Sequence, residues 1–274
     1  MIPLTVIIPT YRRLDAQRSF KCLPPNWQKR TVFIVDRQDA KGLEERFGDT
    51  GAEFVVHPKG IKTIAAKRAW IFSQKKWEKV IMLDDDLRMD ALHGTKMLKA
   101  LFGDVDNAFK LMEAKLEEYM HGGFSARRGV QTAVEKGIEW RYNFRAMYSL
   151  AYRTSIVRKH CELGRINHRE DLDYTLQLLR KGFKNAVYSR LCVDEAAGYD
   201  APGGVNAAGE RSLEASNADA RRLAELHPGL VDVVERTYKG SARVNKEFDR
   251  RLEVICHWKK AYNYDSKPQQ GTFF

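Results

Sequence analysis

The chain has 274 residues, of which 43% are hydrophobic and 30% are charged, and its formal net charge is +11. These values allow one large domain or two small ones around a buried core, and they exclude disorder as the main state. No apolar run in the sequence approaches the ~18 residues that a membrane-spanning helix needs, so a soluble protein is expected. The basic excess fits a polyanionic partner and fits equally well a soluble protein that is merely basic.

The N-terminus lacks the features of a secretory signal peptide. A charged n-region is missing, and Pro3, Pro9 and the pair Arg12 and Arg13 interrupt any apolar segment. The four cysteines lie far apart without a C-x-x-C pair, so neither a disulfide framework nor a thiolate zinc site is expected. These features predict a cytoplasmic protein.

The first half of the chain alternates strand-like and helix-like segments, the pattern of βα units that form a mostly parallel sheet. The predicted strands are Leu4–Ile8, Val32–Val35, Glu53–Val56 and Val80–Leu83. A helix is predicted over Ile61–Lys76, because its apolar residues recur at spacings of three and four. Polar residues gather where the strands end, which is the edge at which open α/β sheets bind ligands.

The second half is predicted to contain three helices, a strand and a glycine-rich loop. The helices are Asp104–Met120 with Asp104 as N-cap, one from Glu170 to Gly182, and Asn217–Leu226 with Asn217 as N-cap. The strand is Ala186–Val193, and Pro202–Gly209 has the composition of a mobile loop. Without an internal repeat or a long linker, the simplest organisation is one α/β domain over residues 1–274. We divide it into a half to about residue 103, a half over about 104–200, and a C-terminal extension.

Three consecutive aspartates, Asp84, Asp85 and Asp86, follow the fourth predicted strand. Side chains of an extended segment alternate, so Asp84 and Asp86 are expected to point one way and Asp85 the other. Mg²⁺ and Mn²⁺ prefer oxygen ligands and usually combine one or two carboxylates with substrate phosphates and water. The pattern therefore suits a metal–diphosphate, while an ordinary acidic turn is the alternative. An EF-hand is excluded, because its sixth position needs Gly and here is Met89.

The segments Val6–Arg13, Lys59–Phe72 and Leu83–Asp86 together resemble nucleotide-sugar-dependent glycosyltransferases of the GT-A type. The resemblance implies a Rossmann-like, mostly parallel twisted sheet flanked by helices, a UDP-sugar donor, and Mn²⁺ or Mg²⁺ held by Asp84 and Asp86. The donor-binding residues that it implies are Pro9, Thr10, Tyr11, Arg12, Asp36, Lys59, Lys67, Arg68, Asp84 and Asp85. Asp36 would contact the nucleotide, and Lys67 and Arg68 the diphosphate or the sugar.

Two acids, Glu170 and Asp171, stand at the start of the second predicted helix. Acids at this position can serve capping alone, because they complement the helix dipole and the free N–H groups. The GT-A resemblance implies instead that Asp171 is the base that deprotonates the acceptor hydroxyl, and that Glu170 positions the acceptor or the donor sugar. The two roles are interchangeable at this stage.

The segment from His121 to His160 holds eight basic and two acidic residues, interleaved with aromatic ones. This composition is typical of a groove that contacts phosphates and stacks a nucleobase, and a base modified within duplex DNA has to be flipped out. The candidate acceptor-binding residues are Gly123, Phe124, Arg127, Arg128, Trp140, Arg141 and Arg145. Alternatively, Tyr148, Leu150 and Tyr152 alternate as core residues of a strand.

A narrower resemblance is to bacteriophage glycosyltransferases found alongside TET/JBP-type oxygenases, which place sugars on 5-hydroxymethylated bases in DNA. Its markers are Ile8–Arg12, Leu83–Asp86, Arg169–Asp173 and a Gly203-Gly204 loop followed by Arg211. It implies a hydroxymethylpyrimidine in DNA as acceptor, and the host cytoplasm as location if a phage encodes the chain. We also expect a monomer. We interpret the loop as a lid whose Arg211 meets the diphosphate.

Two alternatives stay open. One is a GT-A enzyme with a saccharide, lipid or protein acceptor, and the other is a non-catalytic nucleic-acid-binding module. His227 and His257 are candidates for an additional metal ligand, although a structural role is the simpler reading of each.

Overall fold

The computed structural model describes residues 2–126, 130, 133, 136–195, 212–237 and 250–266. The predicted contacts of Arg127, Arg128 and Arg211, and the glycine-rich loop that precedes Arg211, lie outside these residues.

The described chain forms an α/β fold. Its strands are β1 (Leu4–Pro9), β2 (Thr31–Val35), β3 (Glu53–Val56), β4 (Lys79–Leu83), β5 (Leu87–His93), β6 (Lys96–Lys99), β7 (His121–Ala126), β8 (Trp140–Tyr142), β9 (Ser149–Arg153), β10 (Asn185–Glu195), β11 (Val231–Thr237) and β12 (Arg250–Cys256). Its α-helices are α1 (Arg18–Cys22), α2 (Pro25–Gln28), α3 (Arg37–Phe47), α4 (Ile64–Ser73), α5 (Phe102–Lys115), α6 (Thr154–His160), α7 (Glu170–Arg180), α8 (Leu213–Leu226) and α9 (Trp258–Ala261).

The central sheet has the strand order β3-β2-β1-β4-β9-β7-β10-β5-β6, and β8 pairs with β10. The strands β1 to β4 are mutually parallel, as the βα pattern predicts, so their carboxyl ends share one edge. The strand β9 runs antiparallel to β4 and β7, whereas β7 and β10 are parallel. The predicted mostly parallel sheet flanked by helices is therefore confirmed, and the antiparallel pairs lie in its second half.

Each face of the sheet carries its own core. The α5 face buries Leu83, Phe109 and Phe124. The opposite face packs α4, α6 and α7 against β4 and β9, with Phe72 and Tyr174 fully buried. A third cluster joins the apolar stripe of α7 to the C-terminal extension, where Leu176 meets Leu223.

Local capping differs from the sequence expectation at three helices. The helix α5 begins at Phe102, and Asp104 lies in its first turn, where Oδ2 accepts a hydrogen bond from the Leu101 N–H at 2.8 Å. Ser212, not Asn217, caps α8, since its hydroxyl accepts from the Ala215 N–H at 3.0 Å. Thr63 likewise caps α4, because its hydroxyl accepts from Ala66 N–H, so that helix begins three residues later than predicted.

Membrane insertion through a helix has no candidate in the described part of the chain, because none of its helices combines sufficient length with sufficient apolarity.

The strand β7 is packed closely enough to require glycine. A Cβ at Gly122 would lie 2.1 Å from the Ala186 carbonyl oxygen on β10, and one at Gly123 would lie 2.1 Å from the Ser149 carbonyl oxygen on β9. Real Cβ atoms do not approach backbone atoms so closely, so any side chain at either position forces neighbouring strands apart. These glycines allow β7 to pack closely against β9 and β10.

We therefore expect Gly122→Ala to lower the free energy of unfolding by about 1–3 kcal/mol, the usual cost of overpacking a core. The matched control is Gly103→Ala on α5, where nothing lies within 4 Å of the added methyl group. Urea denaturation should show this control unchanged or slightly stabilised. Equal stability of the two variants would contradict the close-packing account.

Candidate active site

At the carboxyl edge of the parallel strands, Asp36 after β2 meets Lys67 of α4 and His57 after β3. The Lys67 ammonium on α4 donates to Asp36 Oδ2 at 2.9 Å and to the Thr10 carbonyl at 3.1 Å. The His57 ring nitrogen Nε2 lies 3.3 Å from the same Asp36 oxygen, in contact distance but without hydrogen-bond geometry. The hydrogen bond from Lys67 thus fixes Asp36 at the carboxyl edge of the sheet.

His57 was not among the residues singled out by sequence. The signal available was its position directly after β3, the place where Thr10 and Asp36 stand after β1 and β2. Tyr11 lies beside this corner, with Lys67 Nζ 5.2 Å from its ring centroid. Lys59 follows in the exposed loop after β3.

A second corner is organised by Arg13, which also escaped the sequence selection. Its guanidinium binds Asp85 Oδ1 at 2.5 Å and Asp86 Oδ2 at 2.8 Å. Asp85 is buried, and its other oxygen accepts from the Thr10 hydroxyl at 2.6 Å. Both oxygens of Asp85 are therefore engaged, by Arg13 and by Thr10, and the predicted donor contact of Asp85 stays a prediction. Asp85 fixes the β1 loop, in which Arg12 is exposed and Pro9 is buried.

The three aspartates form a turn between β4 and β5 and are not an extended segment. The expected alternation, with Asp84 and Asp86 on one side and Asp85 on the other, is consequently wrong. Asp85 and Asp86 share Arg13, while Asp84 pairs with Arg68 on α4. Ion pairing, not the period of a strand, decides where each carboxylate points.

Arg68 joins the end of β4 to the start of α7. Its Nη2 donates to Asp84 Oδ1 at 2.9 Å, and its Nη1 donates to Glu170 Oε1. Arg68 is 7% exposed and Glu170 is 2% exposed, so this pair lies away from water. A single guanidinium thus brings Asp84 and the start of α7 together.

Burial sets the electrostatics of this bridge. It raises the pKa of Glu170 to about 7, against the lowering effect of Arg68 and with a further rise from Asp171. It also raises the pKa of Asp84 to about 6, again opposed by Arg68 and supported by Asp86 and Asp85. Burial alone would lower the pKa of Arg68, but the Glu170 and Asp84 carboxylates outweigh it and raise that pKa. Arg68 therefore stays charged between two acids.

Unlike Glu170, which is bonded to Arg68, the Asp171 carboxylate has no hydrogen-bonded partner among the described residues. The residue is partly exposed. Burial first, and then Asp171, raise the pKa of the Cys256 thiol on β12 to about 12, while Arg145 and Arg169 oppose the rise. Asp171 and Arg145 thus each lie within electrostatic range of Cys256.

The donor set suits a hard divalent cation at only part of the aspartate cluster. The side chains of Asp84 and Asp86 are 32% and 16% exposed, respectively, and carboxylates with phosphate and water are the usual ligands of Mg²⁺. Asp85 does not fit, because both of its oxygens are occupied. No group of three or more His, Cys, Asp or Glu side chains within the described residues is arranged to hold a metal alone. A cation here would need oxygen atoms from a bound diphosphate.

Two predicted acceptor residues are parts of the core. Phe124 is fully buried, its ring centroid 5.1 Å from that of Phe109 and 6.4 Å from that of Tyr188. Gly123 is required by the close approach of β9. Both predictions are wrong for the same reason: β7 is a central strand, and its residues are covered on both faces.

Trp140 and Arg141 lie at a distance from the acids. From β4 to β8 there are four strand spacings, roughly 19 Å at ~4.8 Å each. Trp140 packs on Tyr188 on the α5 face, whereas Arg68 and Glu170 belong to helices on the other face. The predicted contacts of Trp140 and Arg141 with a DNA acceptor stay a prediction, and any such contact would lie well away from the acids.

The aromatic rings around β8 have cationic partners of their own. Tyr119 stacks on Tyr142 at 5.2 Å between centroids, with Lys115 Nζ 5.3 Å from the first ring and Lys184 Nζ 4.5 Å from the second. The basic and aromatic composition thus includes a structural stack. Of the predicted acceptor residues that are described, Arg145 is exposed.

Both candidate histidines have other partners. His227 is fully buried and pairs with Asp173 Oδ1 at 2.7 Å, and His257 pairs with Asp232 at 2.7 Å. Neither contacts Asp84 or Asp86.

Several solved structures have a fold similar to that of this chain. Among solved structures, residues 1–349 of Staphylococcus aureus TarS in complex with UDP-GlcNAc align over 82% of this chain and 66% of that chain, with 12% identity and a TM-score of 0.53. Glucosyl-3-phosphoglycerate synthase from Mycobacterium tuberculosis, in complex with Mg²⁺ and UDP, aligns over 92% of this chain and 87% of that chain, with 9% identity and a TM-score of 0.50. The chain spans just under two thirds of the length of the TarS fragment.

These structural likenesses confirm the predicted GT-A fold. No match to a curated protein was found. The sequence matches the model of the TET-Associated Glycosyltransferase family over residues 4–204, which confirms the predicted enzyme class. Since the match extends over most of the chain, the protein belongs to the TET-Associated Glycosyltransferase family.

Proposed function

We propose that this glycosyltransferase moves a sugar from a UDP-sugar to the hydroxymethyl group of a modified pyrimidine in DNA, with Mn²⁺ or Mg²⁺ at Asp84 and Asp86. The observation that carries the proposal is that Arg68 joins the end of β4 to the start of α7, so that acids of both elements lie at one site. Arg68 pairs with one acid, Asp84, at the end of β4, and a second acid, Asp171, stands at the start of α7 and accepts no side-chain hydrogen bond from the described residues.

The donor half rests on the first corner. Asp36, fixed by Lys67 and approached by His57, offers a carboxylate oxygen to a nucleobase or ribose donor group. The UDP complexes of TarS and glucosyl-3-phosphoglycerate synthase support a uridine nucleotide for this fold. Lys59 and Arg12 are exposed at the same edge and supply positive charge toward a diphosphate.

A bound cation would supply positive charge to the departing diphosphate. The chain's own residues orient the reactants. Arg13 and Arg68 hold Asp86 and Asp84 in place, and neither guanidinium can lose its proton at neutral pH. The preformed site therefore requires little rearrangement before a donor binds.

Asp171 acts as the base in this proposal. Its carboxylate takes the proton of the acceptor hydroxyl as that oxygen attacks the anomeric carbon, and the bond from this carbon to the diphosphate oxygen breaks. Glu170 is occupied by Arg68 and serves to position that cation. The arrangement favours Asp171 over Glu170 for proton transfer. We therefore assign the base to Asp171 and the positioning role to Glu170, although the sequence left the two interchangeable.

A DNA acceptor is supported by the family and by charge. The family description associates these enzymes with TET oxygenases, and the narrower sequence resemblance is to enzymes acting on 5-hydroxymethylated bases. The net charge of +11 favours a polyanion. Arg145 is exposed, and both it and Asp171 act electrostatically on Cys256, so we assign Arg145 a phosphate contact on the acceptor side.

The test of the function is a panel of UDP-sugars incubated with Mn²⁺ and DNA containing 5-hydroxymethylcytosine or 5-hydroxymethyluracil, read by nucleoside mass spectrometry. We expect one sugar to be added to one modified base, none to unmodified DNA, and none after chelation with EDTA. Asp171→Asn should reduce the transfer rate by about 10²–10⁴-fold, the usual contribution of a general base. The control Asp232→Asn, an exposed acid on β11, should retain it.

Transfer to a saccharide, lipid or protein but not to DNA would overturn the acceptor assignment. Undiminished transfer by Asp171→Asn would overturn the assignment of the base.

Salt dependence gives a separate test of the acceptor. Binding to hydroxymethylated DNA should weaken steeply between 50 and 200 mM salt, and Arg145→Ala should reduce the log–log slope by about 1, the value for one phosphate contact. Arg222→Ala is the control, because that side chain is half-exposed on α8 and pairs with Glu225. Salt-independent binding, or an equal effect of both variants, would contradict a phosphate contact at Arg145.

A further inference from the structure

The C-terminal extension contacts the chain on both sides of Glu170 and Asp171. Its described parts are residues 212–237 and 250–266, which lie beyond the 4–204 range of the family match. Before Glu170, both His168 and Arg169 bond to the extension, and after Asp171, Asp173 does so. The two acids are therefore bracketed by anchors.

Arg169 is the most constrained of these anchors. Its backbone is left-handed, with φ 69° and ψ 21°, a region that residues other than glycine rarely adopt. Its carbonyl oxygen accepts from the Leu172 and Asp173 N–H groups, each at 3.1 Å. The turn at Arg169 thus determines where the first turn of α7, and with it Glu170 and Asp171, begins.

The Arg169 side chain holds this backbone to the extension. Its Nη1 donates to the Ser216 carbonyl on α8 at 2.9 Å, and its Nη2 donates to the Leu252 carbonyl on β12 at 3.1 Å. The Leu252 N–H in turn donates to Asn217 Oδ1 at 2.8 Å, which fixes β12 against α8. One guanidinium therefore ties two elements of the extension to the residue preceding Glu170.

Flanking contacts reinforce the same attachment. Asp219 Oδ2 accepts from the His168 backbone N–H at 2.9 Å and lies 2.7 Å from its ring Nδ1. On the other side, the fully buried Asp173 accepts from Arg165 and pairs with His227 of the extension. The start of α7 is thus held at residues 168, 169 and 173. The groups that hold it belong to α8, to His227 directly after α8, and to β12.

We propose that Arg169 is a positioning residue through which the C-terminal extension fixes Glu170 and Asp171 for catalysis. The catalytic part of this inference rests on the proposed role of Asp171, but the attachment of α7 does not. An error of 1 Å in the placement of a reacting group reduces a rate by about 10²-fold, so a relaxed first turn would be costly even in a folded protein.

The variant that isolates the side chain is Arg169→Gly. Glycine adopts the left-handed backbone without steric cost, so the variant removes the guanidinium with its contacts to Ser216 and Leu252 and its ion pair with Glu253 at 3.9 Å. The matched control is Arg180→Ala at the opposite end of α7. Arg180 also donates to the extension, to the Leu226 carbonyl at 3.1 Å and to Asp265 at 2.8 Å.

Two readouts on the full-length chain decide the proposal. In amide hydrogen exchange, Arg169→Gly should accelerate exchange at Leu172 and Asp173 by about 10-fold or more, because local opening of the first turn becomes easier. Arg180→Ala should leave both amides within about twofold of wild type. Thermal unfolding of both variants checks that their global stabilities are comparable.

The second readout is turnover with the sugar nucleotide and hydroxymethylated DNA selected by the panel above. Arg169→Gly should lower kcat by about 10–100-fold with the donor KM within twofold, whereas Arg180→Ala should change neither. Arg169→Lys, which can bond to one carbonyl but not both, should restore part of kcat.

Unchanged exchange at Leu172 and Asp173 in Arg169→Gly would overturn the attachment, whatever Asp171 does. Faster exchange with unchanged kcat, in a background where Asp171→Asn is inactive, would overturn the catalytic role of Arg169. If Asp171→Asn itself stays active, the proposed base is wrong, and the exchange result alone decides whether the extension holds the helix.

Discussion

The site depends on one buried cation between two acids. Arg68 on α4 bonds to Asp84, at the end of β4, and to Glu170, at the start of α7. Two carboxylates that share one guanidinium would repel each other without it, and burial penalises the charged form of Glu170, which is 2% exposed. The guanidinium offsets both costs and, with donors on one rigid plane, fixes the distance between the two elements. It thereby sets the gap between the donor corner and Asp171.

The surrounding architecture secures that bridge from several directions. Arg13 gathers Asp85 and Asp86, so the turn after β4 cannot swing away from β1. Gly122 lets β7 lie tightly between β9 and β10, which supports the sheet beneath α7. The C-terminal extension holds the other end of the bridge through Arg169. Positioning is thus shared between the family-matched part of the chain and the part beyond it.

Local pattern predicted the first four strands and the acids at their ends, because an apolar run of four to six residues followed by polar ones has one simple interpretation in an α/β chain. It could not predict pairings between distant segments. Arg68 and Glu170 are 102 positions apart, and Thr10 and Asp85 are 75 apart. The turn at residues 84–86 also removed the alternation on which the expected orientation of the aspartates rested.

Composition was the weakest guide. The basic and aromatic segment from His121 to His160 suggested a single groove, yet its residues are distributed over a central strand, a stack beside β8 and an exposed position at Arg145. Phe124 is core because β7 is central, and only the sheet order reveals that. Arg145 shares the composition of Arg141 but not its location. The count of charges identified this segment but could not show which of its residues lie on which face of the sheet.

A double-mutant cycle on Arg68 and Glu170 tests the central interaction most directly. Free energies of unfolding are measured for wild type, Arg68→Met, Glu170→Gln and the double variant. The account predicts that each single change is destabilising and that the double variant is more stable than the sum of the two implies, with a coupling of about 1–3 kcal/mol. Additive effects within about 0.5 kcal/mol would contradict it.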